Sequence, residues 1–557
     1  MAQPKPIADR GQDLLLMARD AVAAAEALLA DAGVSVRSLV AVDRRINDHA
    51  FVREQRAAHG LAWLATYVEA IRQLAAYGER MSAAGRLGEI EESAIRIGLG
   101  EYLAQMFGGI PISQGEIVRP ADLGLSAAAV AARMTPAVEA LIASGDTAQQ
   151  RARLIELICA NPEQSTGAVF DESLGGVRDE MRRFNAGEVT PYAQDWHRAN
   201  GYIPLETIAT MGELGVFGLT IPEDYGGMGL GKESMCVVAE ELSRACLAVG
   251  SLGTRSEIAA ELILAGGTSE QQRRWLPRIA SGEVLPTAVF TEPGAGSDLA
   301  SIRTRAVREG DVYKVYGSKT WITHPVRADL MVLLVRTDPR ETGYRGLSIL
   351  LAEKPRGTDD NPFPVEGLSG SEIEVIGYRG MKEYELAFDG FEVKTDNLLG
   401  GIEGLGFKQL MATFETARIQ TAARSVGVAL SALDQAIDYA KLRVQFDTPI
   451  IQFPRVGDKI AMMAAEVLMA RELTYYAARQ KDSGRRCDLE AGMAKLLAAR
   501  CAWSAADSAV QIHGGTGFSV EHPVSRILCD SRVLSIFEGA AEIQAQVIAR
   551  RLIEGGN

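Results

Sequence analysis

The chain lacks any C-x-x-C pair, although it contains six cysteines, at 159, 236, 246, 487, 501 and 529. Spacing this wide predicts reduced core thiols and not a disulfide framework. No run of about 18 residues is apolar throughout without a charge, so no membrane span is expected. The first residues, MAQPKPIADRGQDLLLMARD, place acidic and basic side chains where a signal peptide needs an unbroken apolar stretch. A cytoplasmic location follows as the expectation. Positive charge is also short: Lys and Arg total 58 against 72 Asp and Glu, a formal net charge of −14. Such a chain repels phosphate backbones, so nucleic acid is not an expected partner. There is no internal repeat or low-complexity tract. No Gly-Lys-Ser/Thr triplet marks a phosphate-binding P-loop. Strands do not alternate with helices along the chain, which argues against a Rossmann sheet.

What is present is an ordinary globular composition, 47% hydrophobic and 23% charged, over 557 residues. At about 150 residues per domain, three or four domains are expected. Residues 1–160 read as helical. Leu14, Leu15, Met17, Ala21, Ala24, Leu28 and Leu29 recur at helical steps, in a run ending at Asp31-Ala32-Gly33. A longer pattern over 47–81 puts Phe51, Leu61, Leu64, Tyr67, Ile71 and Leu74 on one side, and shorter helices follow to Cys159. Strand-like alternation is missing there. The polar, Gly-rich stretch 162–176 reads as a linker. Helices return over 177–280, broken by the glycines of ATMGELGVFGLTIPEDYGGMGLGKES. Short β-rich runs at 286–290, 312–316, 330–335 and 347–351 predict a small, mostly antiparallel β domain. Helical periodicity resumes over 402–554. The expected fold is mainly α with a central β domain, divided as 1–165, 166–282, 283–398 and 399–557.

Four segments carry candidate chemistry. Thr291-Glu-Pro-Gly-Ala-Gly-Ser297-Asp298 follows a strand and is Gly-rich, which suits either a tight turn or a loop approaching a bulky ligand closely. Gly317-Ser-Lys-Thr-Trp321-Ile322-Thr323-His324 puts a Trp and a Thr on one strand, a core aromatic or a cover for a flat ring. Gln511-Ile-His513-Gly514-Gly515-Thr516-Gly517-Phe518 could turn between helices or admit a pyrophosphate. In Ser535-Ile-Phe537-Glu538-Gly539-Ala540-Ala541-Glu542, the Glu538 carboxylate follows Ile-Phe. It is either a base in an apolar setting, where a carboxylate holds its proton to higher pH, or a favourable charge at a helix start.

Together and in this order, TEPGAGSD, WIT, RVQF, QIHGGTGF and FEGAAEIQ resemble the acyl-CoA dehydrogenase family over about two thirds of the chain, 177–553. The resemblance implies a helical domain, a β-barrel-like domain and a C-terminal four-helix domain that hold FAD. Phe290, Thr291, Gly296 and Ser297 would hold the flavin ring, with Trp321, Ile322 and Thr323 flanking it. Arg443, Gln445 and Phe446 would reach FAD bound mainly by a neighbouring subunit. Gln511, Gly514 and Gly515 would meet that flavin's pyrophosphate, and Ala540 and Glu542 complete the cofactor set. Ser297, Glu415, Arg418 and Gly539 match positions that contact the acyl-CoA. Glu538 matches one of two positions where the family carries its catalytic base, and the other is Ala417 here.

The resemblance further implies electron-transferring flavoprotein as electron acceptor and a homodimer or homotetramer as the assembly. Ala540, Pro454, Asp447 and His324 depart from residues common in the family. An all-helical stretch ahead of the family core resembles the branch that oxidises (2S)-methylsuccinyl-CoA to mesaconyl-CoA. Other short branched or dicarboxylic thioesters, or a flavin oxidase or monooxygenase on the same fold, are the alternatives. A dicarboxylic substrate needs a cationic or hydrogen-bonding partner for its carboxylate, and Arg255 is the candidate. The extension is either a lid over the acyl pocket or part of a subunit interface.

Overall fold

The computed structural model describes residues 7–42, 45–113, 115–161 and 171–555. The chain forms two compact units: residues 1–173 together with 421–557, and residues 174–420. The first begins with α1 (Ile7–Val40), which passes the stop expected at Gly33. Val36 and Val40 beyond it are fully buried, so the apolar stripe continues and carries the helix with it. A two-strand ribbon, β1 (Ala41–Val42) and β2 (Arg45–Ile46), leads to α2 (Asp48–Arg53) and α3 (Gln55–Ala83). The single helical pattern over 47–81 is therefore two helices. Asn47 caps the first by accepting from the Ala50 N–H at 3.0 Å, and Glu54 leaves helical geometry between them. After α4 (Glu89–Gly108), a hairpin of β3 (Ile110–Ser113) and β4 (Glu116–Val118) interrupts a region expected to be wholly helical. Helices α5 (Ala127–Ala131), α6 (Pro136–Ser144) and α7 (Ala148–Ala160) follow. Of the expected linker, 162–170 lies outside the described residues, and 172–176 form the start of α8 (Glu172–Phe184).

The second unit continues with α9 (Ala193–Ala199), α10 (Leu205–Glu213), α11 (Lys232–Ala245), α12 (Leu247–Gly266) and α13 (Ser269–Ala280). Its sheet contains β5 (Pro286–Val289), β6 (Arg305–Glu309), β7 (Val312–Thr323), β8 (Leu330–Arg336), β9 (Leu347–Glu353), β10 (Leu368–Ile373) and β11 (Glu383–Lys394). The strand order is β10-β11-β7-β6-β8-β5, with β9 also paired to β8. All pairs are antiparallel except β5 with β8 and a single-residue contact of β6 with β8. β8 shows why the sheet centre reads as an unbroken apolar run. Leu330, Val332 and Leu334 enter one core cluster, with Trp275 and Ile279 of α13. Met331, Leu333 and Val335 enter another, with Leu386 and Phe391 of β11. A strand buried on both faces needs apolar side chains at every position. β6, β10 and β11 were not among the expected strands.

The chain then runs through α14 (Gly406–Leu442), a ribbon of β12 (Val444–Gln445) and β13 (Thr448–Pro449), α15 (Pro454–Asp482), α16 (Asp488–His513), α17 (Pro523–Val533) and α18 (Ala541–Glu554). Within the first unit, α3 packs on α15, α16 and α18, and both α4 and α7 pack on α15. A polar knot reinforces this packing. Arg500 of α16 donates to the Tyr67 hydroxyl at 2.7 Å, the Pro111 carbonyl at 2.8 Å and the Tyr102 hydroxyl at 3.1 Å. Its guanidinium stacks over Trp63 and Tyr67, and Glu466 of α15 lies 3.6 Å away. Among the described residues no helix is long and apolar enough to cross a membrane.

Candidate active site

In the second unit, the TEPGAGSD turn hangs from a buried ion pair. Lys319, fully buried in β7, donates to Glu292 at 3.0 Å and to the Phe290 carbonyl at 2.8 Å. The Glu292 carboxylate also accepts from the backbone N–H groups of Arg303 at 2.7 Å and Thr304 at 2.8 Å. Burial pulls the Lys319 ammonium down to about 8, against the pull of Glu292. Glu292 and Ala295 close the turn with reciprocal 3.0 Å backbone bonds. Thr291, one residue away, donates its hydroxyl to the Thr320 carbonyl. Gly296 and Ser297 are exposed at the turn's outer edge, and Phe290 is half-buried. These bonds tie the Gly-rich segment to β7.

Trp321 sits on β7 with φ 59° and 59% exposure, while Ile322 beside it is buried. A bulky residue in the left-handed region is strained, and strain of this kind concentrates at ligand sites. Thr323 is buried. Its hydroxyl donates to Glu383 at 3.1 Å, and its carbonyl accepts from the Thr287 hydroxyl at 2.7 Å. Burial pushes the Glu383 carboxyl up to about 7, opposed by the Thr323 hydroxyl and the charge of Arg255. Arg255 lies on α12, is buried, and donates to the Tyr378 hydroxyl at 3.4 Å. Glu415 and Arg418 are half-buried on α14, Arg418 over the ring of Phe414. Ala417, also on α14, is buried.

In the first unit, Glu538 lies in the turn between α17 and α18, with φ 52°. It precedes the start of α18 by three residues, so it is not a charge in that helix's first turn. Its surroundings are also not simply apolar. Its Oε2 accepts from the Thr421 hydroxyl and from Arg424 Nη2 at 2.8 Å. Thr421 and Arg424 share one face of α14, three residues apart, and Arg424 donates to Thr421 at 3.0 Å as well. Arg424 is fully buried, with its guanidinium over the Phe537 ring. The backbone is pinned too. Fully buried Lys495 donates to the Gly539 carbonyl at 2.6 Å, and Gln544 reaches the carbonyls of Glu538 and Gly539 at 3.3 Å. Gly539 has φ 93°, and a β-carbon there would lie 2.1 Å from Gln544 Nε2. Ala540 is half-buried and Glu542 exposed.

The remaining motif residues are surface features of this unit. Arg443, Gln445 and Phe446 are exposed on and beside the β12–β13 ribbon, where Phe446 and Asp447 form a turn with φ 50° and 57°. Gln511, Gly514 and Gly515 are exposed at the end of α16. His513 is buried there, 4.2 Å from Tyr439 in a stacked pair. Sequence reasoning missed Arg424, Thr421, Lys495 and Glu383. The signal for the first was a lone Arg in the Ala-rich face TAARSVGVAL, which an apolar helix face does not otherwise carry.

Models of the acyl-CoA dehydrogenase N-terminal, middle and C-terminal domains match residues 172–283, 287–391 and 404–553. The chain belongs to the acyl-CoA dehydrogenase family. It is 57% identical to a (2S)-methylsuccinyl-CoA dehydrogenase of Cereibacter sphaeroides over 97% of this chain and 98% of that one. An acyl-CoA dehydrogenase of Bacillus subtilis is 38% identical over 68% of this chain and 97% of its own length. The structure of butyryl-CoA dehydrogenase from Megasphaera elsdenii superposes with a TM-score of 0.64 at 30% identity, covering 68% of this chain and 98% of that one.

Proposed function

We propose that the protein oxidises (2S)-methylsuccinyl-CoA to mesaconyl-CoA with bound FAD. The observation that carries the substrate is the extent of similarity. The Cereibacter relative matches through the N-terminal extension, whereas the Bacillus relative matches only about two thirds of the chain. Trp321, Phe446 and Phe518 leave 59%, 91% and 89% of their area exposed at three of the family motifs, which supports the flavin reading. Phe290, Thr291, Gly296, Ser297, Trp321, Ile322 and Thr323 would hold the ring, and Ala540 and Glu542 complete the cofactor set. Arg443, Gln445 and Phe446, with Gln511, Gly514 and Gly515 at its pyrophosphate, would serve the FAD of a second subunit, which makes the working form a homodimer or homotetramer. We assign electron-transferring flavoprotein as the acceptor and 1–165, 166–282, 283–398 and 399–557 as the functional domains.

Glu538 removes the proton from the α-carbon, and its carboxylate is aimed by Thr421 and Arg424. Bound FAD supplies the two-electron acceptor for the hydride that leaves the β-carbon. The Glu538 N–H hydrogen-bonds the thioester carbonyl and so acidifies the α-carbon. Ser297, Glu415 and Arg418 bind the CoA portion, and Gly539 lies beside the thioester. Arg255, buried on α12, is the cation assigned to the substrate's second carboxylate.

The test is an anaerobic titration of the purified yellow protein. Methylsuccinyl-CoA should bleach the flavin band, while butyryl-, isobutyryl- and glutaryl-CoA should not. Bleaching by one of those alone replaces the substrate. A colourless protein removes the FAD assignment.

A further inference from the structure

The turn that carries Glu538 stands at one end of a rod. Glu538 and Gly539 both have positive φ, 52° and 93°, and a non-glycine residue keeps that conformation only where its surroundings impose it. Two side chains impose it here. Lys495 of α16 donates to the Gly539 carbonyl, and Gln544 of α18 donates to the carbonyls of Glu538 and Gly539. A trans peptide points its N–H opposite to its C=O, so holding these carbonyls holds the peptides that follow Glu538. Gln544 is fully buried, and its own side-chain oxygen has no hydrogen-bond partner among the described residues. Its aim is therefore set by where α18 stands.

α18 is that rod, 14 residues and about 21 Å long. Gln544 and Ile548 face α16 at Gly492, where a β-carbon would lie 3.2 Å from Ile548, so glycine lets the two helices close. The extension grips the rest. α3 packs along the rod, and His59 of α3 feels the charge of Glu542 in its first turn. Near the far end, Arg550 pairs with Asp48 at 2.8 Å and lies over the buried ring of Phe51. Arg37 of α1 closes that end. Its Nε donates to the Ile553 carbonyl at 2.9 Å and its Nη2 to the Leu552 carbonyl at 3.1 Å. These are carbonyls that a helix end leaves without intrahelical partners, and a cation there also suits the helix dipole.

We propose that Arg37 is a positioning residue for the dehydrogenation: it fixes the far end of α18, and through Gln544 the fixed helix holds the Glu538 turn in its reactive conformation. This rests on the reading of Glu538 as the base. The extension then acts on catalysis along one helix, from a residue of α1 to the turn at the other end of α18. The displacement that matters is small, since a misplacement of about 1 Å produced far from the chemistry can cost about 10²-fold in rate.

The experiment compares Arg37→Met with Arg133→Gln in the full-length holoprotein. Arg133 pairs with Asp31 on the same helix α1, at 2.8 and 3.1 Å, so its loss loosens the extension without releasing the end of α18. Two readouts are taken: stopped-flow reduction of the flavin by methylsuccinyl-CoA, and hydrogen–deuterium exchange of residues 535–544 by mass spectrometry. Arg37→Met should slow reduction about ten-fold at saturating substrate, leave the substrate's dissociation constant unchanged, and speed exchange in the turn. Arg37→Lys should recover most of the rate, and Arg133→Gln should match wild type in both readouts. Arg37→Met combined with Gln544→Met should be no slower than Gln544→Met alone, because both act through one contact. Should Arg37→Met fail to fold, Arg37→Gln, which keeps a donor for one of the two carbonyls, decides by the same readouts. Wild-type exchange in the turn of Arg37→Met overturns the proposal, and so does faster exchange at the wild-type reduction rate. An equal loss in Arg133→Gln overturns it as well, since the effect is then a general loosening. A wild type that methylsuccinyl-CoA does not reduce sinks the substrate reading, and exchange in the turn then decides by itself whether Arg37 holds it.

Discussion

At the scale of single residues, the site depends on charges that the fold has taken out of water. Glu538 is the clearest case. Glu538→Gln keeps the shape of the side chain and removes the proposed proton acceptor, so kcat should fall by about 10³-fold while flavin content stays at the wild-type level. Stopped-flow reduction of the flavin measures this directly. His324 gives a pH signature. Burial, together with the charges of Arg327, Arg356, Lys354 and Arg255, pulls its imidazole down to about 3. The unfolded chain protonates the same ring near 6.5. Between these values the unfolded state binds more protons, so stability falls as pH drops below about 6.5. His324→Asn should flatten that acid limb by up to about 1.4 kcal/mol per pH unit, as read from urea unfolding at pH 7, 6 and 5.

At the scale of elements, β7 does two jobs. Its inner residue Lys319 anchors the turn that presents Thr291 and Ser297, and its outer residue Trp321 is held in a strained, exposed conformation. Lys319→Met should strand Glu292 as a buried anion. The expected loss is about 3–5 kcal/mol in chemical unfolding, with weaker flavin retention on gel filtration. A variant that keeps full stability would show that the backbone donors of Arg303 and Thr304 suffice for Glu292. The elements differ in how plainly the sequence announces them. β8 and β9 are apolar runs and were legible. β6 is short and mostly exposed, and β10 is polar with its middle exposed at the sheet edge, so neither carries a hydrophobic signal. β11 does alternate buried with exposed positions, and its pattern was there to be read.

At the scale of the whole molecule, the extension is built into the helical body that carries Glu538. α3 packs directly on α15, α16 and α18, and Arg500 ties Tyr67, Tyr102 and Pro111 to Glu466. This favours a structural part over a detachable lid. Removing residues 1–170 should expose Leu468, which lines a cavity with Tyr77 and Ile90, and Met469, which lies against Gly98, and yield aggregated protein, measurable by light scattering of the refolded truncation. A soluble truncation that still binds FAD would assign the extension to substrate control instead.

The sequence by itself determined the order of the main helical and β segments and the family, because each is written in short motifs or in local periodicity. It could not show that 1–173 and 421–555 make one body, since that depends on helices far apart in the chain burying each other's apolar faces. Nor could it show what holds the site in place. Arg424 and Glu538 are 114 residues apart, and Lys319 and Glu292 are 27 apart. A buried charge acquires its meaning from the partner brought to it, and only the tertiary structure decides which partner that is.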